Sequence, residues 1–352
     1  MIKIGVIGAG AISLSHLEAY KHNPECKVIA IADLNLSLAK KRADEYQIEK
    51  VFADYKDLLK DNEIDAVSIV TPTFTHANIV IDALKAGKNV LCEKPPALTA
   101  DEVRECAKTA KETGKLLMYA FVCRFRAHTQ YLKNYIDSGK MGRFTYAEAA
   151  RISRCVDFSG WFSDKKKSGG FILDCAIHEL DLALYLMGYP NPKTVLGFSS
   201  DINNDLPKKI KSTSSKYISL DTNSYERTME SFTNANIILD NDACINLKSA
   251  SVLNTLVPGV YVDICGEKAG ARMEPNVQGK ALKILELSDD GYFSETTPII
   301  TENDVFSEQI NHFIDCITNK TECICKPEEA VTLVEIINAI CKSAQTGKAV
   351  EF

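Results

Sequence analysis

One tryptophan and six histidines stand in a chain of 352 residues. No apolar run approaches the roughly 20 residues that span a bilayer, so no membrane-crossing helix is expected. Lys3 precedes an apolar stretch as a secretory leader would, but Gly5, Gly8 and Gly10 interrupt that stretch and suit a strand and turn. Positive charge is not in surplus: 41 Lys and Arg face 47 Asp and Glu, a net charge of −6. That balance argues against a nucleic-acid binder, which needs a basic face to neutralise phosphates. The 12 cysteines contain no Cys-x-x-Cys pair, and the tightest grouping, Cys316 with Cys323 and Cys325, lacks the usual zinc spacing. No metal site is expected. Scattered single cysteines in a long chain read as reduced, mostly buried thiols of a cytoplasmic protein. Internal repeats and low-complexity tracts are missing too.

What is present is an average globular composition, 45% apolar and 25% charged, in a chain long enough for two domains. Residues 1–122 alternate short apolar runs with helical patterns. Strands are expected at Ile2–Ile7, Val28–Ala32, Ala66–Val70, Asn89–Cys92 and Leu116–Phe121. Helices are expected at Ile12–His22, Leu36–Tyr46, Asp57–Lys60, His76–Ala86 and Asp101–Thr113. Strands without in/out alternation, separated by helices, predict a doubly wound parallel sheet covered on both faces, an α/β Rossmann domain. Residues 123–352 have another rhythm. Helices are expected at Thr129–Ser138, Ala176–Met187, Phe306–Thr318 and Pro327–Thr346, and period-two segments run between Thr194 and Arg272. This pattern predicts an α+β domain whose sheet is largely antiparallel. The Lys165-Lys166-Lys167 run reads as a solvated loop.

Four motifs of the first domain follow strands. Gly8-Ala9-Gly10-Ala11-Ile12-Ser13 joins the first strand to the first helix. Gly8 allows the tight turn, Gly10 lets a pyrophosphate approach the backbone, and the N–H groups at the start of the helix face the phosphates. Ser13 holds the third fingerprint place, where a small residue permits close helix packing. Asp33 closes the second strand, where a carboxylate accepts both ribose hydroxyls of NAD and repels the 2′-phosphate of NADP. Leu34-Asn35-Leu36 follow instead of an arginine, so NAD is expected over NADP. Thr71 and Pro72 lie beyond the next strand, with His76 just inside a helix. His76 either faces the cofactor crevice or packs there. Glu93-Lys94-Pro95-Pro96 comes last, and a lysine at that strand end can polarise a hydroxyl or carbonyl or relay a proton.

In the second domain, Gly169-Gly170 lead to Asp174, His178 and Asp181, a spacing that puts the three on one helix face. A carboxylate beside histidine fixes its tautomer and stabilises its protonated form, as a general base requires. Alternatively Asp174 caps the helix and His178 is a core residue.

The order of these motifs resembles the glucose–fructose oxidoreductase / inositol dehydrogenase / MocA (Gfo/Idh/MocA) family over nearly the whole chain. The likeness includes Gly8 to Ser13, Thr71-Pro72 with His76, Glu93-Lys94-Pro95, Arg124-Phe125, and Gly169-Gly170 with Asp174, His178 and Asp181. It continues through Gly266-Glu267-Lys268-Ala269-Gly270 and His312-Phe313. Its most specific part is Glu93-Lys94-Pro95 together with Asp174-x-x-x-His178. Phe171, Ala176, Asp242 and Cys123 depart from the family's usual residues. The resemblance implies a Rossmann domain followed by a large open mixed sheet that mediates dimer or tetramer formation. It also implies hydride transfer between NAD(P) and a sugar, cyclitol or related polyol, with residues matching Lys94, Asp174 and His178 as the catalytic set. Cofactor contacts are expected from Gly8, Gly10, Ala11, Ile12, Asp33, Leu34, Thr71, Pro72, His76 and Glu93. Substrate contacts are expected from Lys94, Arg124, Trp161 and His178, although Trp161 suits a core anchor equally well. Two other functions fit the same residues: a glycosidase or lyase that oxidises its sugar transiently with NAD, and a non-enzymatic sugar or nucleotide sensor. Retention of Lys94, Asp174 and His178 weighs against the sensor, which needs no proton relay.

Overall fold

The computed structural model describes residues 1–156, 160–205, 227–275 and 281–352. They form two compact units that are discontinuous in sequence, where the sequence pattern draws one boundary after residue 122. The first unit is Met1–Phe125 with Asn303–Val334, the second Arg126–Glu302 with Glu335–Phe352. Among the described residues, no helix is long and apolar enough to cross a membrane.

The first unit holds six strands, β1 Ile2–Ile7, β2 Cys26–Ala32, β3 Lys50–Phe52, β4 Ala66–Ile69, β5 Asn89–Glu93 and β6 Leu117–Ala120. They lie in the order β3-β2-β1-β4-β5-β6, every pairing parallel. Ile4, Val6, Ala66, Val67 and Ile69 are fully buried, so neither face of the central strands meets water. Each large aliphatic side chain buried this way contributes about 1.5–3 kcal/mol. Strand order reverses between β1 and β4, and in such sheets ligands bind beyond the carboxyl ends at that switch point. Gly8, Asp33, Thr71 and Lys94 all lie just past the carboxyl ends of β1, β2, β4 and β5. The sequence pattern omitted β3 and started β2 two residues late.

The second unit is built on nine strands. They are β7 Phe144–Ile152, β8 Pro192–Ser200, β9 Phe232–Leu239, β10 Cys244–Ala250, β11 Gly259–Gly266, β12 Ala269–Met273, β13 Leu282–Leu287, β14 Phe293–Thr296 and β15 Val350–Glu351. Their order is β14-β13-β12-β11-β7-β10-β9-β8-β15. The β7–β10 pair is parallel and the others antiparallel, so the sheet is mixed. Residues 206–226 of the alternating stretch lie outside the described residues. Asp242 stands in the β9–β10 turn at φ +64°, the left-handed conformation that usually selects glycine. One face of the sheet buries Val195, Ile237, Ile245, Ala147, Val262 and Ile284. Strand register places Leu196, Phe198 and Ile238 on the opposite face, all exposed.

Candidate active site

In the first unit the glycine turn is held from below. Gly8 adopts φ +107°, and a Cβ there would stand 2.6 Å from the Val70 carbonyl oxygen, so only glycine fits. Gly10 differs: a Cβ on it would meet nothing within 4 Å, which leaves the turn open toward a ligand. The helix Ala11–His22 that it starts has no side-chain cap and no acidic residue in its first turn. Its N–H groups and positive dipole end therefore suit a pyrophosphate. Ser13 is fully buried, and its hydroxyl donates to the Gly10 carbonyl at 2.7 Å.

Asp33 ties the turn to the end of β2. Its Oδ2 accepts the Ala9 N–H and its Oδ1 the Asn35 N–H, each at 2.7 Å. A carboxylate has about four acceptor positions, so two stay available for a ribose diol. Arg42, from the next helix, donates Nε to the Ala9 carbonyl at 3.4 Å, while its Nη1 is paired with Glu45 at 2.8 Å. Leu34 beside Asp33 is 93% exposed.

Two of the residues expected at the cofactor are buried. His76 is 1% exposed, with Nδ1 2.7 Å from the Pro95 carbonyl and Nε2 2.8 Å from that of Thr71. It bridges the loops after β4 and β5. Burial pulls its pKa below the ordinary histidine value, against the raising effect of the two carbonyls. Glu93 is also buried; Oε1 meets His16 Nε2 at 2.9 Å and Oε2 accepts the Lys94 N–H at 3.0 Å. One oxygen thus holds the backbone that carries Lys94 and the other joins Glu93 to His16. Lys94 itself is half-buried and precedes a cis peptide bond to Pro95. Thr71 and Pro72 are half-buried at the same edge, with the Thr71 hydroxyl 2.7 Å from that of Thr75.

In the second unit the expected regular helix begins differently. Residues Ile172–Ala176 form a π turn that continues as the α-helix Ile177–Leu186. Asp174 lies inside the wide turn, 5% exposed, and is not the N-cap residue, which is Phe171 for the π turn and Ala176 for the α-helix. His178 follows half-buried in the first α turn. Such wide turns are frequent at functional sites. Gly169 and Gly170 introduce it at φ +80° and +91°. A Cβ on Gly169 would lie 2.2 Å from Leu173 Cδ2, and one on Gly170 2.5 Å from Glu230 Oε2. Glu230, buried, accepts the Ile172 N–H through Oε1 at 2.8 Å, and Lys165 Nζ stands 3.0 Å from its Oε2. Lys165 thus belongs to a short helix, Lys165–Ser168, and not to a solvated loop. Asp181 is buried and accepts the Tyr189 hydroxyl at 2.6 Å; Glu179 pairs with Arg151 through two bonds of 2.7 Å. Trp161 is half-buried and stacks on Phe162 with ring centroids 3.8 Å apart.

Residues 2–121 match the family profile described as an oxidoreductase family with an NAD-binding Rossmann fold, and residues 133–352 match its C-terminal alpha/beta domain. The chain belongs to the Gfo/Idh/MocA oxidoreductase family. It is 30% identical to a D-glucoside 3-dehydrogenase of Escherichia coli (strain K12), over 99% of this chain and 97% of that one. An inositol 2-dehydrogenase of Rhizobium meliloti (strain 1021) is 35% identical over 53% of this chain and 55% of its own length. Among solved structures, a putative myo-inositol dehydrogenase from Sinorhizobium meliloti 1021 superposes with a TM-score of 0.77 at 23% identity, covering 100% and 99% of the two chains. GenD2 from gentamicin A biosynthesis, solved with NAD, gives 0.80 at 19%, covering 100% and 96%. These structural likenesses speak for the fold. The chain is an oxidoreductase with a nicotinamide-cofactor domain.

Arg124, expected at the substrate, lies deep in the first unit. It is completely buried, and its Nη1 reaches the Ile324 carbonyl and Glu329 Oε2, each at 2.5 Å. Through these two bonds Arg124 ties its own stretch of chain to Ile324 and Glu329 within the first unit. The sequence pattern also missed His16, which steadies Glu93, and Glu230, which shapes the π turn. It missed a histidine–cysteine group too: His312, Cys316 and Cys323 converge in the first unit. The available signal was the i, i+4 spacing of His312 and Cys316 on one helix.

Proposed function

We propose that the protein is an NAD-dependent dehydrogenase moving hydride between the nicotinamide and a CH–OH carbon of a sugar, cyclitol or related polyol. The observation that carries this reading is Lys94, delivered half-buried past the carboxyl end of β5 in a chain that also retains Asp174 and His178. The nicotinamide ring supplies the carbon that takes the hydride. Gly8, Gly10, Ala11 and Ile12 present backbone to the pyrophosphate, Asp33 receives the ribose diol, and Thr71 and Pro72 border the crevice. Leu34 lies beside the adenosine end and Trp161 beside the substrate. His178 accepts the hydroxyl proton, Asp174 orients and stabilises the resulting imidazolium, and the Lys94 ammonium lowers the cost of the alkoxide. The free acceptor positions of Asp33 and the pairing of Arg42 with Glu45 favour NAD over NADP.

A relative matched over nearly its full length is a D-glucoside 3-dehydrogenase, which puts glucosides first among substrates. The exposed Leu196, Phe198 and Ile238 support a homodimer or homotetramer that covers this sheet face; a single-chain mass by light scattering would exclude it. Twelve cysteines without a disulfide support a reducing, cytoplasmic setting, and a fractionated cell in which the protein is secreted would contradict that.

The deciding experiment incubates purified protein with glucosides, aldoses and inositols, each with NAD or NADP, and follows reduced nicotinamide. Net reduction by one substrate class, with NAD bound more tightly, is expected. Equal affinity for both cofactors removes the Asp33 argument. Bond cleavage with only transient reduction points to the glycosidase or lyase, and sugar binding without turnover to the sensor.

A further inference from the structure

A second group of reactive side chains lies where the helix Val305–Thr318 gives way to the loop before Pro327–Thr346. His312 and Cys316 share a face of the first helix because they stand four residues apart, and the returning loop brings Cys323 to them. His312, Cys316 and Cys323 offer ligand atoms within 4.8 Å of one another. Cys316 Sγ is 3.4 Å from His312 Nε2. In a tetrahedral zinc site with Zn–S near 2.3 Å and Zn–N near 2.0 Å, a sulfur and a nitrogen ligand stand about 3.5 Å apart. The observed separation already has that size.

The hydrogen bonds fix the histidine's state. Ile324 N–H donates to His312 Nε2 at 3.1 Å, so Nε2 carries a lone pair and the proton resides on Nδ1. Metal ligation through Nε2 requires that tautomer. The loop is also pinned: buried Arg124 binds the Ile324 carbonyl. A preset loop lowers the entropy lost when a metal closes it. All of these residues belong to the first unit, and none has a part in the hydride chemistry proposed above.

We propose that His312, Cys316 and Cys323 form a zinc site clamping the loop to the helix. Two thiols release their protons to solvent as two zinc–sulfur bonds form, and Nε2 contributes its lone pair in place of accepting the Ile324 N–H. No electrons are transferred, and the fourth position is taken by water. Borderline-soft zinc suits two thiolates and an imidazole better than magnesium or calcium, which prefer oxygen.

To test the site, reduced metal-free full-length protein is incubated with zinc chloride, desalted, and assayed for bound metal. Alkylation of each cysteine is mapped by mass spectrometry in parallel. About one zinc per chain is expected, with Cys316 and Cys323 shielded while exposed Cys265 reacts as before. Cobalt(II) should give a thiolate-to-metal absorption band that Cys323→Ser abolishes. Failure to retain zinc overturns the proposal. Retained zinc with Cys316 and Cys323 alkylated as fast as in the metal-free chain overturns it equally, whether or not the variant folds.

Discussion

Lys94 and the Asp174–His178 pair are placed by opposite means in their respective units. Lys94 follows a regular strand, β5, whose neighbours on both sides are parallel. Its support is close at hand: the Glu93 carboxylate binds its N–H, and His76 binds the carbonyl of Pro95. Asp174 depends on an irregular helix start. Two left-handed glycines widen the turn, and Glu230, 58 residues away in sequence, fixes its first N–H. A strand end thus presents Lys94 with support from its own neighbours, whereas the helix start that carries Asp174 is held by a distant side chain. The second arrangement should yield to single substitutions without loss of the sheet beneath it.

The largest expected effects fall on the chemical groups of both units. Lys94→Ala and His178→Ala should each lower turnover by about a hundredfold or more, the scale of general acid–base groups. NAD affinity, measured by titration, should change little if, as proposed, the glycine turn and Asp33 hold the pyrophosphate and ribose. Asp174→Asn should act more mildly, through a poorly held imidazole. Unchanged turnover in both alanine variants on a confirmed substrate would remove the proton-relay assignment. Lost NAD binding in both would make the two residues structural supports.

The next effect separates the two construction principles. Gly170→Ala forces a Cβ to 2.5 Å from Glu230 Oε2 at φ +91°, a strain of about 1–3 kcal/mol. Turnover should fall together with the melting temperature, while NAD affinity is kept. Glu230→Gln keeps an acceptor for the Ile172 N–H but leaves Lys165 without its counter-charge, so it should impair turnover with a smaller loss of stability. If Gly170→Ala matches the parent in both melting and turnover, Glu230 does not shape the turn.

The same contrast explains what the sequence disclosed. Buried parallel strands are short apolar runs ending in glycine or polar motifs, so β1, β4 and β5 and the ligand-facing edge were legible. β7 was not, although it is paired on both sides in the second sheet. Phe144–Ile152 fills its buried positions with Ala147, Ala149 and Ala150, which leave no apolar alternation to detect. The π turn was hidden because Asp174 and His178 keep a helical spacing, and Glu230 acts from far along the chain. The buried settings of His76, Glu93 and Arg124 were not legible for one shared reason. A polar residue near a strand end turns either to solvent or to a buried partner, and sequence spacing does not choose. For Arg124 the partners are Ile324 and Glu329, some 200 residues on.

The smallest predicted effect concerns acid stability and is read separately in each unit. His76 has a carbonyl oxygen at each ring nitrogen, but a neutral imidazole has one proton to share between them. Burial nonetheless outweighs the two carbonyls and lowers its pKa from 6.5. The unfolded chain therefore binds a proton here at a higher pH than the folded chain does. Stability rises with pH wherever the unfolded state holds more protons, so His76 makes the fold weaker as pH falls through about 6.5. The loss levels off once the folded histidine is also protonated, and each unit of pKa depression corresponds to about 1.4 kcal/mol. His128 in the second unit is lowered in the same direction, chiefly by burial. Hydrogen exchange read at β4 and β5 should report the His76 contribution separately from that of His128. Between pH 7 and about 5, amides of β4 and β5 should lose protection in the parent and lose less in His76→Gln. If the variant's β4 and β5 amides keep the parent's full acid sensitivity, another group titrates in the first unit, and the bridge between Thr71 and Pro95 is neutral in its pH response.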